Sequence, residues 1–260
     1  MGPEVLLSAM HLEDESYIDT LNIHTDCVVI NQCDREQKRD TVRDTPKGRV
    51  NVTYVETKDR GLSKSRNMAI ANAKGPVCIL CDNDVEYVDD YDSMINSAFE
   101  EYDADVIVFY VKRPERQRPV FDREKRMGYL SVLKIFSPEI AFRKESVSGI
   151  RFNENFGAGA KYFMGEENLF LYECLRQGKK IIYIPRMIGE VRVEESTWFK
   201  GYNEDFFVAR GANFAALSKW FSVILILQYA VRKRHLYSGN LTMSKALGKM
   251  FEGRREFLNT

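Results

Sequence analysis

Short apolar runs alternate with amphipathic stretches through the first half of the chain. Between the third and fourth runs, residues 62–73 place their apolar side chains on one helical face. Because strands that alternate with helices form parallel sheets with helices on both faces, the pattern predicts an α/β fold with a mainly parallel sheet. The five runs that have the length and composition of buried strands are residues 5–9, 28–30, 52–55, 77–81 and 106–110.

The pattern is less regular between residues 112 and 193. A charged, proline-bearing stretch at 112–126 predicts an exposed loop or a mobile flap. Further on, a helix is predicted at 167–177, ended by Gly178. Strands are predicted at residues 140–142 and at 180–184, the second one stopped by Pro185.

The last part of the chain is strongly apolar between residues 214 and 231 and is followed by the basic run 232–235. Polar residues interrupt the apolar stretch, so its uninterrupted core is too short to cross a bilayer. Two interpretations of a helix at 214–235 remain open. It lies on a membrane surface with its basic residues facing anionic headgroups, or it packs against the domain or a second copy.

Composition excludes some classes of protein. Lys and Arg total 38, as do Asp and Glu, so no overall positive field recruits nucleic acid. The N-terminus has the features of neither a secretory signal nor a myristoylation site, which predicts a cytoplasmic protein. The five cysteines are an odd number without zinc-site spacing, so we expect buried free thiols in a reducing compartment.

The chemistry-bearing feature of the first half is Asp82-Asn83-Asp84, at the end of the fourth predicted strand. Two carboxylates one residue apart at a strand end suit Mg²⁺ or Mn²⁺, which bind one or two carboxylates and complete their shell with water and substrate phosphate. A solvated acidic turn is the alternative interpretation. The triplet by itself does not decide between the two.

A second candidate is the segment 59–67, which opens the predicted helix. Gly61 loosens the entry to this helix, and Ser63 is a plausible N-cap. The backbone N–H groups of the first turn, beside Lys64 and Arg66, would suit an anion. An ordinary capped surface helix explains the same residues.

Together these motifs resemble glycosyltransferase family 2, which has the GT-A fold. The resemblance rests on Gly-Leu-Ser-x-Ser-Arg-Asn at 61–67, on Asp-Asn-Asp-Val at 82–85, and on Gly-Glu-Glu-Asn before a Gly-Lys-x-Ile strand at 165–181. It implies an inverting transfer of a sugar from a nucleotide diphosphate, favouring UDP, with Mn²⁺ or Mg²⁺ as cofactor. It further implies a donor-binding half at 1–111, an acceptor-binding half at 112–200 and a C-terminal helical extension at 201–260.

The resemblance also assigns roles to residues. It implies that Asp84 ligates the metal and that Asp82 supports the metal or contacts the ribose. Glu167 matches the usual catalytic base, and Glu166 is its rival. The remaining positions implied to bind the donor are Asn31, Gln32 and Asp34 at the nucleotide base, with Ser63, Lys64, Arg66 and Asn83.

Two stretches depart from the family pattern. The first strand ends in Ser-Ala-Met-His at 8–11, where many relatives have Pro-Thr-Tyr-Asn, which leaves the contacts to the base open. The segment 193–198 lacks the histidine that often holds the metal or diphosphate. Arg192, Glu194 and Lys200 are the candidates to replace it.

The resemblance implies an acceptor hydroxyl on a glycan or lipid-linked oligosaccharide in polysaccharide biosynthesis, with a location in the cytoplasm at the inner face of the plasma membrane. A sugar nucleotidyltransferase is disfavoured because residues 8–15 contain no glycine for a phosphate loop. A calcium loop is disfavoured because Tyr87 and Ser93 occupy the positions that need glycine and glutamate. A catalytically silent module that binds nucleotide sugars or membranes is the remaining alternative.

Overall fold

The computed structural model describes residues 2–192 and 201–259. Their internal contacts divide them into two units. Unit 1 comprises residues 2–60, 64–152 and 170–192, and unit 2 comprises residues 61–63, 153–169 and 201–259. The predicted boundaries after residues 111 and 200 remain predictions.

Unit 1 contains a ten-stranded sheet. Its order is β3-β4-β2-β1-β5-β9-β7-β10-β6, and β8 pairs with β10. The strands are β1 (Glu4–Met10), β2 (Cys27–Gln32), β3 (Gln37–Thr45), β4 (Gly48–Thr57), β5 (Val77–Asp82), β6 (Val85–Tyr87), β7 (Val106–Lys112), β8 (Lys125–Arg126), β9 (Ile140–Arg143) and β10 (Ile181–Val191).

The sheet is mostly parallel in its centre. The pairs β4-β2, β2-β1, β1-β5 and β7-β10 are parallel. Strand β9 runs antiparallel to both β5 and β7, so these two strands also point the same way. The carboxyl ends of β1, β2, β4 and β5 therefore meet at one edge, which is where ligands collect in open α/β sheets.

Both faces of this sheet are covered, as the apolar composition of its central strands requires. Alternate side chains of β1, such as Leu6 and Leu7, belong to two different buried clusters. On one face, α3 (Tyr91–Glu101) contributes Ile95. On the other face lie Ala69 of α2 (Leu62–Asn72) and Phe170 of α4 (Glu166–Arg176). A short helix, α1 (Tyr17–Thr20), follows β1.

Unit 2 is built mainly from the C-terminal helices α5 (Glu204–Leu217), α6 (Ser222–Arg232), α7 (Arg234–Tyr237) and α8 (Met243–Leu258). Helices α5 and α8 cross closely through two glycines. A Cβ on Gly211 would lie 1.9 Å from the carbonyl oxygen of Met250, and one on Gly253 would lie 1.9 Å from that of Val208. Any larger residue at either position would force the two helices apart.

Three local predictions were wrong. Strand β3 was missed because it is a polar edge strand, and edge strands carry charged side chains. Strand β10 continues past Pro185 because the ladder with β7 shifts register between Tyr183 and Met187, and a bulge tolerates the missing proline N–H. The apolar stretch 214–231 forms two helices rather than one, since the chain turns between Leu217 and Ser222.

The segment 112–126 is anchored at its beginning. The guanidinium of Arg116 pairs with the carboxylate of Glu139, which has no exposed surface. Burial raises the pKa of Glu139, and the Arg116 charge opposes that rise. Strand β8 attaches the far end of the segment to β10. The predicted flap is therefore a loop that is fixed at both ends.

All five cysteines are buried and none forms a disulfide, which confirms the expectation of buried free thiols. Within the described residues, no helix combines the length and apolar character needed to cross a membrane.

Candidate active site

The acidic triplet lies where the sequence places it, at the end of a buried strand. Asp82 is the last residue of β5, and two residues separate it from Val85, which begins β6. Asp82 pairs in register with Ser8 of β1, in the centre of the sheet edge. Both carboxylates therefore emerge at the carboxyl edge of the parallel strands.

Asp82 is held by a buried cation. Arg66 on α2 is only 1% exposed, and its Nη2 donates to Asp82 Oδ1 over 2.8 Å and to the Ser137 hydroxyl over 2.8 Å. Its guanidinium also lies over the ring of Phe152, 5.5 Å from the centroid. Arg66 was predicted to bind the donor, and the structure places it beneath the site, where it fixes the orientation of Asp82.

Asp84 has the opposite surroundings. Its Oδ1 is buried and has no hydrogen-bond partner among the described residues. Burial, and then the neighbouring charge of Asp82, raises the pKa of Asp84 to about 6. A buried carboxylate oxygen without a partner is costly, and a cation bound to it would remove that cost.

This donor set fits a hard divalent cation that shares its coordination with a diphosphate. The described residues contain no cluster of three or more His, Cys, Asp or Glu side chains that could enclose a metal. Mg²⁺ needs only one or two protein carboxylates when phosphate and water supply the remaining oxygens. Asp84, with Asp82 beside it, meets that requirement.

Neighbouring residues fix the turn that carries the triplet. The hydroxyl of Tyr17 donates to the carbonyl oxygen of Asn83 over 2.8 Å. The backbone N–H of Arg192 donates to the carbonyl oxygen of Asp84 over 2.8 Å. The guanidinium of Arg192 pairs with Glu86 at 2.7 Å. Of the residues considered as substitutes for the late histidine, Arg192 thus lies beside the triplet. Glu194 and Lys200 are outside the described residues.

The three residues predicted to read the nucleotide base differ in their surroundings. The amide of Asn31 is fully buried and is bonded to both backbone groups of Leu12 and to the Tyr54 hydroxyl. Gln32 is also buried, but its Oε1 has no partner. Asp34 is 90% exposed and pairs with Arg60 at 2.8 Å. Gln32 is therefore the residue whose side chain retains an unused hydrogen-bonding atom.

Arg60 is a residue of this region that the sequence analysis left without a role. Its Nη1 donates to the backbone carbonyl oxygens of Cys33, Thr57 and Lys58. It thereby ties the loop after β2 to the loop after β4. The local sequence shows only an arginine next to a glycine. The carbonyl oxygens that Arg60 binds come together because β2 and β4 are neighbours in the sheet, which the local sequence does not reveal.

The start of α2 belongs to unit 2 and is closed by a loop of that unit. The N–H of Leu62 donates to the Ala158 carbonyl oxygen over 2.9 Å, and the Ser63 hydroxyl donates to that of Phe156 over 2.6 Å. Ser63 is thus not the N-cap, because the helix already begins at Leu62. The Ser63 hydroxyl bonds the Phe156 carbonyl oxygen instead of a backbone N–H of the helix. Lys64 is partly exposed, 3.7 Å from Asp59.

The second carboxylate pair opens α4 in unit 2. Glu166 is buried, and a Cβ on Gly157 would lie 3.2 Å from its Cδ, so the glycine loop packs directly on this side chain. Glu167 is only half-buried.

Gly165, the residue before α4, is supported by Asn213 of α5. Asn213 is fully buried, and its Nδ2 donates to the Gly165 carbonyl oxygen over 3.1 Å. Gly165 has a φ of +84°, and a Cβ there would lie 2.3 Å from that same nitrogen. The sequence analysis missed Asn213, whose one local signal is an amide inside an apolar helix.

Comparison with known proteins agrees with this architecture. The model of the family Glycosyl transferase family 2 matches residues 15–165. This match covers more than half of the chain, and the protein belongs to glycosyltransferase family 2. It is thus a glycosyltransferase, as the sequence motifs predicted.

Similar solved structures show the same GT-A fold. Residues 1–349 of TarS from S. aureus match with a TM-score of 0.62 and 15% identity, over 98% of this chain and 81% of that one. The UDP complex of that protein matches with a TM-score of 0.61 and 15% identity, over 97% and 81% of the two chains. Its UDP-GlcNAc complex matches with a TM-score of 0.57 and 17% identity, over 99% and 72%. No curated protein sequence matches the chain significantly.

Proposed function

We propose that this family 2 enzyme transfers a sugar from a UDP-linked donor to a hydroxyl of a glycan or lipid-linked oligosaccharide, with inversion and with Mn²⁺ or Mg²⁺. The observation that carries the proposal is the pair formed by Asp82, which is held by a buried arginine, and Asp84, which keeps an unpartnered buried oxygen. A metal-diphosphate group is the ligand that such an arrangement would satisfy.

Two observations support a uracil nucleotide. Gln32 lies at the carboxyl end of β2 with a buried amide oxygen that has no partner. A primary amide both donates and accepts hydrogen bonds, which matches the donor and acceptor groups on the edge of a uracil ring. The similar TarS structures include complexes with UDP and with UDP-GlcNAc.

The structure of α4 supports Glu167 as the base rather than Glu166. Glu166 is 5% exposed and packs beneath Gly157, whereas Glu167 retains exposed surface at the first turn of the helix. In the proposed reaction a carboxylate oxygen of Glu167 takes the proton of the acceptor hydroxyl as that oxygen attacks the anomeric carbon.

The other residues bind and orient the donor. Arg66 holds Asp82, so that this carboxylate is fixed before the donor arrives, and a preorganised charge of this kind favours the transition state. The bound cation would neutralise the charge that develops on the leaving diphosphate. We include in the proposal a location in the cytoplasm at the inner face of the plasma membrane, where lipid-linked acceptors are found.

Thermal unfolding with a panel of nucleotides tests the donor and the metal together. The protein is heated with UDP, GDP, dTDP or CMP, each with Mn²⁺, with Mg²⁺ or with EDTA. A ligand that binds only the folded state raises the melting temperature by mass action. We expect the largest rise with UDP and a divalent cation together.

The same series on Asp84→Asn identifies the residue responsible. We expect this variant to lose the metal-dependent rise. Asp103→Asn is the matched control, because it removes the same charge from a side chain that is 92% exposed, and it should respond like the parent. A metal-dependent rise that persists in Asp84→Asn would overturn the metal assignment, and the absence of any rise with all four nucleotides would overturn the donor assignment.

A further inference from the structure

Helix α6 carries an exposed apolar stripe, which we define as Trp220, Ile224, Leu227 and Val231. Their exposed fractions are 81%, 61%, 47% and 66%. Residues three and four positions apart share one side of a helix, so the four side chains form a continuous strip along α6 and the residue pair that leads into it. Phe221 widens the strip at its beginning and is 65% exposed.

The other side of α6 is already packed within unit 2. Ser222, Ile226 and Ala230, which follow one another at four-residue intervals, are all fully buried. Arg254 of α8 donates to the Ser222 hydroxyl over 2.9 Å and to the Lys219 carbonyl oxygen over 3.1 Å. One face of α6 is therefore packed within unit 2, and the exposed stripe lies on its opposite face.

The surroundings of the stripe are positively charged. The 46 residues from 206 to 251 contain no Asp or Glu, although the whole chain has as many acidic as basic residues. Arg232, Lys233 and Arg234 are exposed at the C-terminal end of the stripe, and Lys219 is exposed at its N-terminal end. The basic residues of this segment are Arg210, Lys219, Arg232, Lys233, Arg234, Lys245 and Lys249. The last two pair with Glu204, so the charge that favours an anionic surface comes from Lys219 and the run 232–234.

We propose that α6 docks on an anionic lipid bilayer, with the stripe in the interfacial region and the flanking cations on the headgroups. An amphipathic helix with aromatic and aliphatic residues on one face and Lys or Arg beside them is the pattern that binds such a surface. An indole at the edge of the stripe suits the interface, because its ring is apolar and its N–H is polar. At 11 residues, α6 is about 16 Å long, which is too short to cross the hydrocarbon core of a bilayer, about 30 Å thick, but long enough to lie on its surface.

Charge favours this occupant over a second copy of the chain. If two copies met stripe to stripe, the cations at the ends of one stripe would approach those of the other, with no acidic residue of the segment 206–251 to offset them. Like charges that face each other oppose association. A surface rich in negative headgroups attracts the same cations.

Vesicle binding tests the proposal and needs neither nucleotide nor metal, so its outcome is independent of the proposed enzymatic function. The full chain is mixed with phosphatidylcholine vesicles that contain either no anionic lipid or a large fraction of phosphatidylglycerol, and the bound fraction is measured by flotation. We expect binding to the anionic vesicles that weakens steeply as salt is raised. A blue shift of fluorescence that is lost in Trp220→Phe would report insertion of that indole.

Two triple variants separate the apolar and the charged contributions. Ile224→Gln/Leu227→Gln/Val231→Gln and Arg232→Gln/Lys233→Gln/Arg234→Gln should each reduce the partition coefficient by roughly tenfold or more. All six side chains are exposed, so the far-ultraviolet spectrum and melting temperature should stay close to those of the parent. The matched controls are Leu130→Gln, which changes an exposed leucine of unit 1, and Arg118→Gln/Arg123→Gln/Arg126→Gln, which removes three exposed charges there.

Three results would overturn the proposal. One is the absence of binding to anionic vesicles, and another is binding that both triple variants retain. The third is a concentration-dependent dimer in solution that the stripe variant abolishes, since this would assign the stripe to a second copy. Reduced vesicle binding in the two triple variants but not in the controls would support it.

Discussion

The carboxylate pair at the end of β5 and the pair at the start of α4 have the same internal arrangement in different units of the protein. In the first pair, Asp82 is fixed by buried Arg66, and Asp84 keeps an unpartnered oxygen. In the second pair, Glu166 is packed beneath the Gly157 loop, and Glu167 retains exposed surface. One carboxylate of each pair is held by its surroundings, and the other remains accessible to a ligand or substrate.

The two pairs differ in how the held residue is stabilised. The guanidinium of buried Arg66 pairs with Asp82, whereas the Gly157 loop packs on Glu166. Removal of Arg66 would leave the Asp82 carboxylate without its cation, so the first site should be sensitive to the loss of this supporting residue.

The largest expected effect is on catalysis by the second pair. Glu167→Gln should lower the rate of transfer by roughly 10²–10⁴-fold, because a positioned general base contributes about that much. Release of UDP measures the rate, with the UDP-sugar from which the parent releases UDP fastest as the donor. Glu166→Gln is the matched variant and should reduce the rate less. Transfer at the parent rate in Glu167→Gln would show that another group takes the proton.

The next largest effect concerns the support of the first pair. Arg66→Met should lower the free energy of unfolding by roughly 3–5 kcal/mol, because it leaves Asp82 without its buried cation. Chemical denaturation measures this loss. The double variant Arg66→Met/Asp82→Asn should recover part of the stability, since residue 82 then carries no charge that has lost its cation. A double variant as unstable as the single one would mean that the loss does not come from the charge of Asp82.

Asp84→Asn should have the opposite effect on stability. In EDTA at pH 8 the variant should unfold at a higher denaturant concentration than the parent, because it removes a buried charge that has no partner. The difference between the ordinary pKa of 3.8 and the folded value of about 6 sets the gain at up to roughly 3 kcal/mol. A variant less stable than the parent would indicate that Asp84 has a stabilising partner in the folded protein.

Asn213→Ala tests the support of the second pair. Loss of the hydrogen bond to the Gly165 carbonyl oxygen should cost roughly 1–1.5 kcal/mol of stability, because that oxygen then keeps only the backbone N–H of Leu169 as a donor. If Asn213 positions the start of α4, kcat should fall while the affinity for UDP stays unchanged. A variant with lower stability but the parent kcat would limit Asn213 to a structural role.

The smallest effect comes from a carboxylate of unit 1 that has partners. Asp105 accepts from the Ser146 hydroxyl at 2.6 Å and from the Lys180 backbone N–H at 2.7 Å. Burial alone would raise the pKa of Asp105, but these hydrogen bonds outweigh it and lower the pKa on balance.

A lowered pKa in the folded state gives stability that is present above the unfolded value and is lost as pH falls through the folded value. Asp105→Asn should therefore be about 1 kcal/mol less stable than the parent at pH 7, with the difference shrinking below pH ~4. Denaturation at several pH values measures this trend. If the difference in stability between Asp105→Asn and the parent does not change with pH, the loss comes from how the asparagine amide fits the site and not from the charge of Asp105.

Much of the central sheet could be predicted because its strands are buried on both faces and therefore appear as continuous apolar runs. Residues 77–81 and 106–110 fall within β5 and β7. Strand β3 could not be found in this way, since an edge strand needs no apolar face. The extension of β10 beyond Pro185 depends on a bulge in the ladder with β7, which is a property of the pairing and not of the local sequence.

The candidate site was predictable in its composition but not in its internal contacts. The motif resemblance located Asp82, Asp84 and Glu167 by position along the chain. It gave no means to tell that Arg66 lies beneath Asp82 or that Asn213 supports Gly165, because these partners are 16 and 48 residues apart in sequence. Contacts of this kind are determined by tertiary packing, and the pattern of apolar and polar residues along the chain does not predict them.

The division of roles between the two pairs is tested most directly by calorimetric titration of UDP with Mn²⁺ into the parent, Glu167→Gln and Asp84→Asn. We predict that Glu167→Gln binds with the affinity of the parent, and that binding to Asp84→Asn is weakened by roughly 100-fold, as expected for loss of a metal ligand in the site. Parent-like binding by Asp84→Asn, or a loss of binding in Glu167→Gln, would contradict the account.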